Sequence, residues 1–240
     1  MQTVHRAAAV LAAFSVTSPR LTLNQITEKL GTSKATAHRY TKALRDANML
    51  RYDESTALYS LGAQILALAP PARAGLAVLE VAEPFMTALA EQINQTVVLS
   101  VWDGQRPTVV RCADDTNHLV QISIRNGARL DPVRSAQGRL FCAYLPSSQT
   151  PWLAAELQRN PPLAQTIEEI RRYGVCVNTP EVTGVRTIAA PVLAHGTVVA
   201  AMAVVGTSVT VPEFVEHPMV QRLAETTSAL SAQLSARHTG

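Results

Sequence analysis

Between Leu21 and Leu61 the chain sets out a helix, a tight turn, a second helix and a hairpin in close succession, and so short a stretch can bury its apolar residues in few ways. Thr22 is placed to cap a helix in which Leu23, Ile26, Thr27 and Leu30 recur at helical spacing, and Gly31 supplies the stop. A second helix begins after it, capped by Thr32 or Ser33. Ala37, Tyr40, Thr41 and Leu44 fall on one stripe of that helix, which leaves Lys34, Ala35, Thr36, His38, Arg39 and Lys42 facing outward. Leu50-Arg51-Tyr52 and Leu58-Tyr59-Ser60-Leu61 then flank the polar run Asp53 to Thr56 as two short strands around a turn.

This order is that of a winged helix-turn-helix, whose second helix enters the major groove of double-stranded DNA. Small side chains allow close approach to base edges, hydroxyls bond bases or phosphates, and cations neutralise phosphates. The residues expected at the DNA are Ser33, Lys34, Thr36, His38, Arg39 and Lys42 on the second helix and Arg51 on the wing. Thr36, His38 and Arg39 are placed for the groove, and Lys34, Lys42 and Arg51 for the backbone. Charge agrees: residues 1–60 hold eight Lys and Arg against four acids, a net +4 in a chain of +3, and every lysine lies there. A cationic module joined to a near-neutral body implies that only the first part meets a polyanion.

At 240 residues and 47% hydrophobic content the chain can build two modest domains. Cys112, Cys142 and Cys176 form no CxxC pair and are read as free thiols in a reducing cytoplasm. The first residues form an amphipathic helix from about Val4 to Phe14 with no secretory pattern, so a cytoplasmic location is expected. Thr187 to Gly206 is long and apolar enough to suggest a membrane span, but Pro191 and His195-Gly196 interrupt it and its valines favour strands. It reads as two buried strands, and no membrane contact is expected.

Gly62 to Leu68 looks helical, and Pro70-Pro71 are expected to end or sharply bend that helix because neither supplies the backbone N–H. Ala77 to Ile93 then forms a helix of the second domain. The boundaries are residues 1–61 for the DNA-binding domain, 62–75 for a linker helix and 76–240 for the remainder. In that remainder Thr96–Trp102, Thr108–Cys112 and Leu119–Ile124 read as strands, with Asp103-Gly104 as a turn. Helices follow at Ser135–Leu145 and Ala164–Tyr173, then the apolar hairpin, then a last helix at about Glu216–Ala236. The class is α+β, with helices on a largely antiparallel sheet.

Several runs carry a family resemblance. They are Thr3 to Ala7 continuing to Leu11, Leu23 to Thr27, Gly31 to Arg39, Tyr59-Ser60-Leu61-Gly62, then Gly184 to Val192 and Val205-Gly206. With these the chain resembles the IclR family of bacterial transcription regulators over nearly its whole length. The sequence departs from the family pattern at Ala47-Asn48, where a glycine is usual, and at Tyr40-Thr41, where aliphatic residues are typical. The resemblance implies a GAF-like effector domain that binds a small organic acid, and a homodimer or dimer of dimers on a pseudo-palindromic operator.

By the same resemblance the effector contacts fall at Arg134, Ala136, Gln137, Asn178, Thr187, Ala203 and Val205. Asn178 stands where relatives often have an acid, Thr187 where a cysteine is frequent, and Ala203 and Val205 where serines often bond the ligand. Backbone amides at the start of the helix after Arg134 suit a carboxylate. Loss of two hydroxyls favours a larger, less polar ligand, an aromatic acid or related aromatic compound. Strand alternation puts Ala201, Ala203 and Val205 on one face and Met202 and Val204 on the other.

No catalytic residue, metal site or cofactor is expected. His118, His195 and His217 are scattered, and no GxSxG, phosphate loop or dinucleotide fingerprint occurs. The alternative reading is a protein-interaction or structural DNA-binding module without a small ligand; a pure protein-interaction module leaves the basic helix-turn-helix unexplained.

Overall fold

The structure is a computed structural model that describes residues 2–114, 122, 124–178 and 184–237. Two compact units divide the chain between Leu76 and Ala77.

The first unit contains α1 (Gln2–Ala12), β1 (Arg20–Leu21), α2 (Leu23–Leu30), α3 (Lys34–Asp46), β2 (Leu50–Asp53), β3 (Leu58–Leu61) and α4 (Ala63–Ala74). A reciprocal capping box starts α2: Gln25 N–H donates to Thr22 Oγ1 at 3.2 Å, and Thr22 N–H donates to Gln25 Oε1 at 2.8 Å. Gly31 ends it in the left-handed conformation, φ 57°. Ser33 caps α3, whose buried residues are the expected Ala37, Tyr40, Thr41 and Leu44. Asn48 takes φ 55° in the turn to the wing, a conformation asparagine accepts more readily than most residues. The sheet order is β1-β3-β2, antiparallel throughout. Val10, Phe14, Leu21, Ile26, Tyr40, Leu44, Leu50 and Tyr59 form one core, and burial of a side chain such as Ile26 contributes about 1.5–3 kcal/mol.

Of the two outcomes expected at the prolines, an end or a sharp bend, the end does not occur: Pro70 and Pro71 lie inside α4. The carbonyls of Leu66 and Ala67 lose their helical donors, and α4 has no buried residue.

The second unit contains α5 (Ala77–Ile93), β4 (Thr96–Trp102), β5 (Pro107–Ala113), α6 (Ala136–Tyr144), α7 (Leu153–Arg159), α8 (Pro161–Tyr173), β6 (Cys176–Asn178), β7 (Val185–Ala194), β8 (Thr197–Thr207) and α9 (Pro218–Ala236). Its sheet order is β5-β4-β8-β7-β6, and every neighbouring pair is antiparallel. The apolar 187–206 stretch is indeed a hairpin, turned at His195 (φ 48°) and Gly196 (φ 75°). Ser231 and Ser235 of α9 accept from the Leu193 and His195 amides and fix that turn. No single helix among the described residues is long and apolar enough to cross a membrane.

Alternation along β8 sorts the core. Ala200, Met202 and Val204 face α5 and α9, packing with Met86, Leu89, Leu223 and Leu230. Ala201 and Ala203 face the other way, under Ala136, Leu140 and Phe141 of α6 and Ile167 and Ile170 of α8. Small residues on this face let α6 approach the sheet closely. Val205, further along, belongs to a third cluster with Val98 and Val109, covered by Ile122, Ile124, Ala128 and Leu130. Most of the expected 119–124 strand lies outside the described residues; Ile122 and Ile124 lie outside any strand.

Candidate nucleic-acid interface and effector site

In the first unit, α3 turns one stripe into the core and leaves Lys34, His38, Arg39 and Lys42 exposed. Lys34, Arg39 and Lys42 have no acidic partner among the described residues. The Arg39 guanidinium lies 5.4 Å from the Tyr40 ring centroid and that of Arg45 lies 5.0 Å from the Tyr52 centroid, so both cations lie over aromatic faces. Ser33 and Thr36 are less free than the sequence suggests. Ser33 Oγ accepts from Thr36 N–H at 3.3 Å and donates to Thr36 Oγ1 at 2.9 Å, so the pair serves first as the helix cap. Arg51 is exposed on β2.

In the second unit, the expected effector residues come from four elements. Asn178 on β6 pairs with Thr187 on β7, which pairs with Val205 on β8, so these three form one cross-strand row. Ala203 lies two rows along, between Ala189 and Val98, and is completely buried beneath α6. The structure thus joins Asn178, Thr187 and Val205 and packs Ala203 into a different cluster from Val205.

The helix α6 ties the row to the loop before it. Ser135 caps α6 by accepting from Gly138 N–H at 3.0 Å, and Ala136 and Gln137 are buried at its first turn. Gln137 Nε2 donates to Ser100 Oγ at 3.3 Å in the middle of the sheet. Asn178 Nδ2 donates to the Arg134 carbonyl at 2.8 Å. The Arg134 side chain is exposed, while Asp131 accepts from the backbone amides of Val133 and Arg134, each at 2.9 Å.

Arg139 was not among the expected residues. It is half-buried, and its guanidinium donates from Nη1 to Asn178 Oδ1 at 2.7 Å and from Nε to the Val133 carbonyl at 2.7 Å. No carboxylate lies within ion-pair distance of it among the described residues. The one signal in the sequence was a cation inside the otherwise uncharged run Ser135 to Leu145. The groove of about 320 Å³ in this unit lies elsewhere, beside Tyr173 and Phe214. None of the expected effector residues lines it.

Burial raises all three thiols. Cys112 rises to about 11, with Asp114 adding to the effect; Cys142 rises to about 12, with Asp131 adding. Cys176 rises to about 12 although Arg139 opposes the shift. Thiols so held are poor nucleophiles and poor metal ligands at neutral pH.

Residues 3–54 match the IclR helix-turn-helix domain family, and residues 72–232 match the family described as bacterial transcriptional regulator IclR C-terminal. The chain belongs to the IclR family of bacterial transcription regulators. Among solved structures it is similar to an IclR family transcriptional regulator from Brucella abortus, at 25% identity and TM-score 0.82 over 98% of this chain and 92% of that one. It is also similar to HmgR from Pseudomonas aeruginosa, at 28% identity and TM-score 0.60 over 98% of each chain. A third neighbour is an IclR homologue from Microbacterium hydrocarbonoxydans in complex with 4-hydroxybenzoate, at 20% identity and TM-score 0.72 over 98% of this chain and 99% of that one. That identity carries the fold alone. The HTH-type transcriptional regulator Rv1719 of Mycobacterium tuberculosis is 32% identical over 110 residues, 46% of this chain and 42% of that protein. The helix-turn-helix and the separate effector domain of the family are thus both present.

Proposed function

We propose that the chain is a ligand-responsive regulator acting in the cytoplasm. Residues 1–61 dock α3 in the major groove of a pseudo-palindromic operator, 62–75 link, and 76–240 bind a small organic effector and join protomers. A homodimer, or a dimer of dimers, spans half-sites roughly 34 Å apart or a multiple of it. The observation that carries the reading is the exposed face of α3, where Lys34, Arg39 and Lys42 stand beside His38 without acidic partners among the described residues.

The effector class is an aromatic acid or a related aromatic compound. Apolar Ala203 and Val205 on the inner face of β8 support it, as does the 4-hydroxybenzoate complex of the Microbacterium homologue. Arg139, whose partners among the described residues are neutral oxygens, is suited to balance a carboxylate. A thermal-shift screen of benzoate, 4-hydroxybenzoate, acetate and pyruvate tests this, because a ligand that binds only the folded state raises its melting temperature. The aromatic acids are expected to raise it and the short acids to leave it unchanged; the reverse order refutes the aromatic assignment. A second reading, a DNA-binding module without a small ligand, draws on the complete burial of Ala203 and near-complete burial of Val205. A flat response to every compound favours it.

A further inference from the structure

Arg20 and Arg51 lie on the two outer strands of the wing sheet and face the same residue of the middle strand. Arg20 pairs with Ser60 on one side of β3, and Arg51 pairs with Ser60 on the other. Residues paired across strands share a face, so these three side chains form one row. The neighbouring row, Leu21, Tyr59 and Tyr52, points the other way, with Leu21 and Tyr59 buried in the core. The arginine row therefore faces solvent, and both arginines are exposed.

The row borders a groove of about 320 Å³ that Leu58, Asp53 and Glu54 also line. Two strand spacings put the arginine Cα atoms roughly 10 Å apart, a gap that two long side chains can close around one anion with the Ser60 hydroxyl between them. Neither arginine has an acidic partner among the described residues. Asp53 is two rows toward the tip, paired with Leu58, and is engaged in the turn. Its Oδ1 accepts from Ser55 Oγ at 2.6 Å and from Ser55 N–H at 3.0 Å. The acids thus keep an anion away from the tip and leave the Arg20-Ser60-Arg51 row as its place.

We propose that this row is a second phosphate-binding site of the DNA-binding module, with Arg20 and Arg51 clasping one backbone phosphodiester of the duplex. The proposal rests on the reading that the module binds DNA. It extends the contact from the wing hairpin to β1, a strand outside both helices of the helix-turn-helix.

The test is the salt dependence of binding to a fluorescent mixed-sequence duplex, followed by anisotropy for the full chain and for Arg20→Gln, Arg51→Gln and the double variant. Each lost phosphate contact removes about one unit from the slope of log affinity against log salt. Each single variant is expected to weaken binding but to lose less than one unit of slope, because the remaining arginine still meets the shared phosphate, and the double variant to lose about one; a loss of about two in the double variant assigns them separate phosphates and overturns the shared clasp. A wild-type slope in the double variant, or wild-type affinity in Arg20→Gln, overturns the site. If Lys42→Ala flattens the slope while the double variant does not, the DNA reading stands and the row falls; no salt-dependent binding by the wild type removes both. Inorganic phosphate replacing chloride at equal ionic strength separates the sources. A site for free phosphate shows phosphate-specific stabilisation of the wild type over the double variant with no change in DNA slope, which also overturns the proposal.

Discussion

Arg139 on α6 and Asn178 on β6, distant in sequence, are joined by a 2.7 Å hydrogen bond from the guanidinium Nη1 to the amide Oδ1. Through Nδ2 the same amide holds the Arg134 carbonyl, so one side chain fastens an edge strand, a helix and its leading loop. An aspartate here keeps the bond to Arg139 but forfeits the one to Arg134; an alanine forfeits both. Asn178→Ala is therefore expected to cost about 1–3 kcal/mol in urea unfolding, and Asn178→Asp less. Asn178→Asp, by giving Arg139 an internal counter-charge, is also expected to weaken aromatic-acid binding in calorimetry. Equal stability losses in both variants contradict the arrangement.

A methyl group at Gly138 has no room. A Cβ built there falls 2.4 Å from the Asp131 carbonyl oxygen and 2.5 Å from that of Pro132, both backbone atoms with little freedom to yield. Gly138→Ala is expected to destabilise the protein by about 1–3 kcal/mol, the usual range for overpacking, read as a lower melting temperature. An unchanged melting temperature means the loop does not lie against α6 as described.

The capping role of Ser33 separates stability from recognition. Ser33→Ala is expected to lower stability by about 1 kcal/mol. Ser33→Asp keeps a cap and favours the helix dipole, yet places a negative charge at the DNA-facing end of α3. Its melting temperature is expected to match the wild type while duplex affinity falls. Full affinity in Ser33→Asp argues that this end of α3 does not approach DNA.

The buried thiols give a pH dependence of definite sign. In the unfolded chain they ionise near 9, whereas folding holds Cys142 and Cys176 up to about 12 and Cys112 up to about 11. The stabilisation is complete below about 9 and is lost as pH rises from there toward 11–12. Chemical denaturation across pH 8 to 11 is expected to show this decline, reduced in a Cys142→Ala/Cys176→Ala variant. Ellman's reagent at pH 8 is expected to react slowly with the native protein and fully in denaturant.

Local features were the legible ones. Thr22 and Gly31 bound α2 by contacts only a few residues apart, and the Ala37-Tyr40-Thr41-Leu44 stripe is a direct reading of helical period. Valine-rich β7 and β8, broken at His195-Gly196, announced a buried hairpin. By contrast, β1 is two residues long and is a strand only because β3 pairs with it. Three-residue β6 and seven-residue α7 are too short to show a period. The prolines of α4 do not end it, because a missing N–H and a ring clash disfavour a helix without forbidding one. At the expected effector residues, alternation puts Ala203 and Val205 on one face, yet cannot tell that α6 covers one and Ile122, Ile124, Ala128 and Leu130 the other. The Arg139–Asn178 bond links residues 39 apart in sequence, and no local pattern reports it.

The central claim, that α3 carries the DNA contact, is met most directly by one measurement: the salt dependence of duplex affinity for the wild type and for Arg39→Ala/Lys42→Ala. A steep negative slope is expected for the wild type, with the double variant flatter by about one to two units and weaker in binding at every salt concentration. An unchanged slope and affinity in the double variant would contradict it.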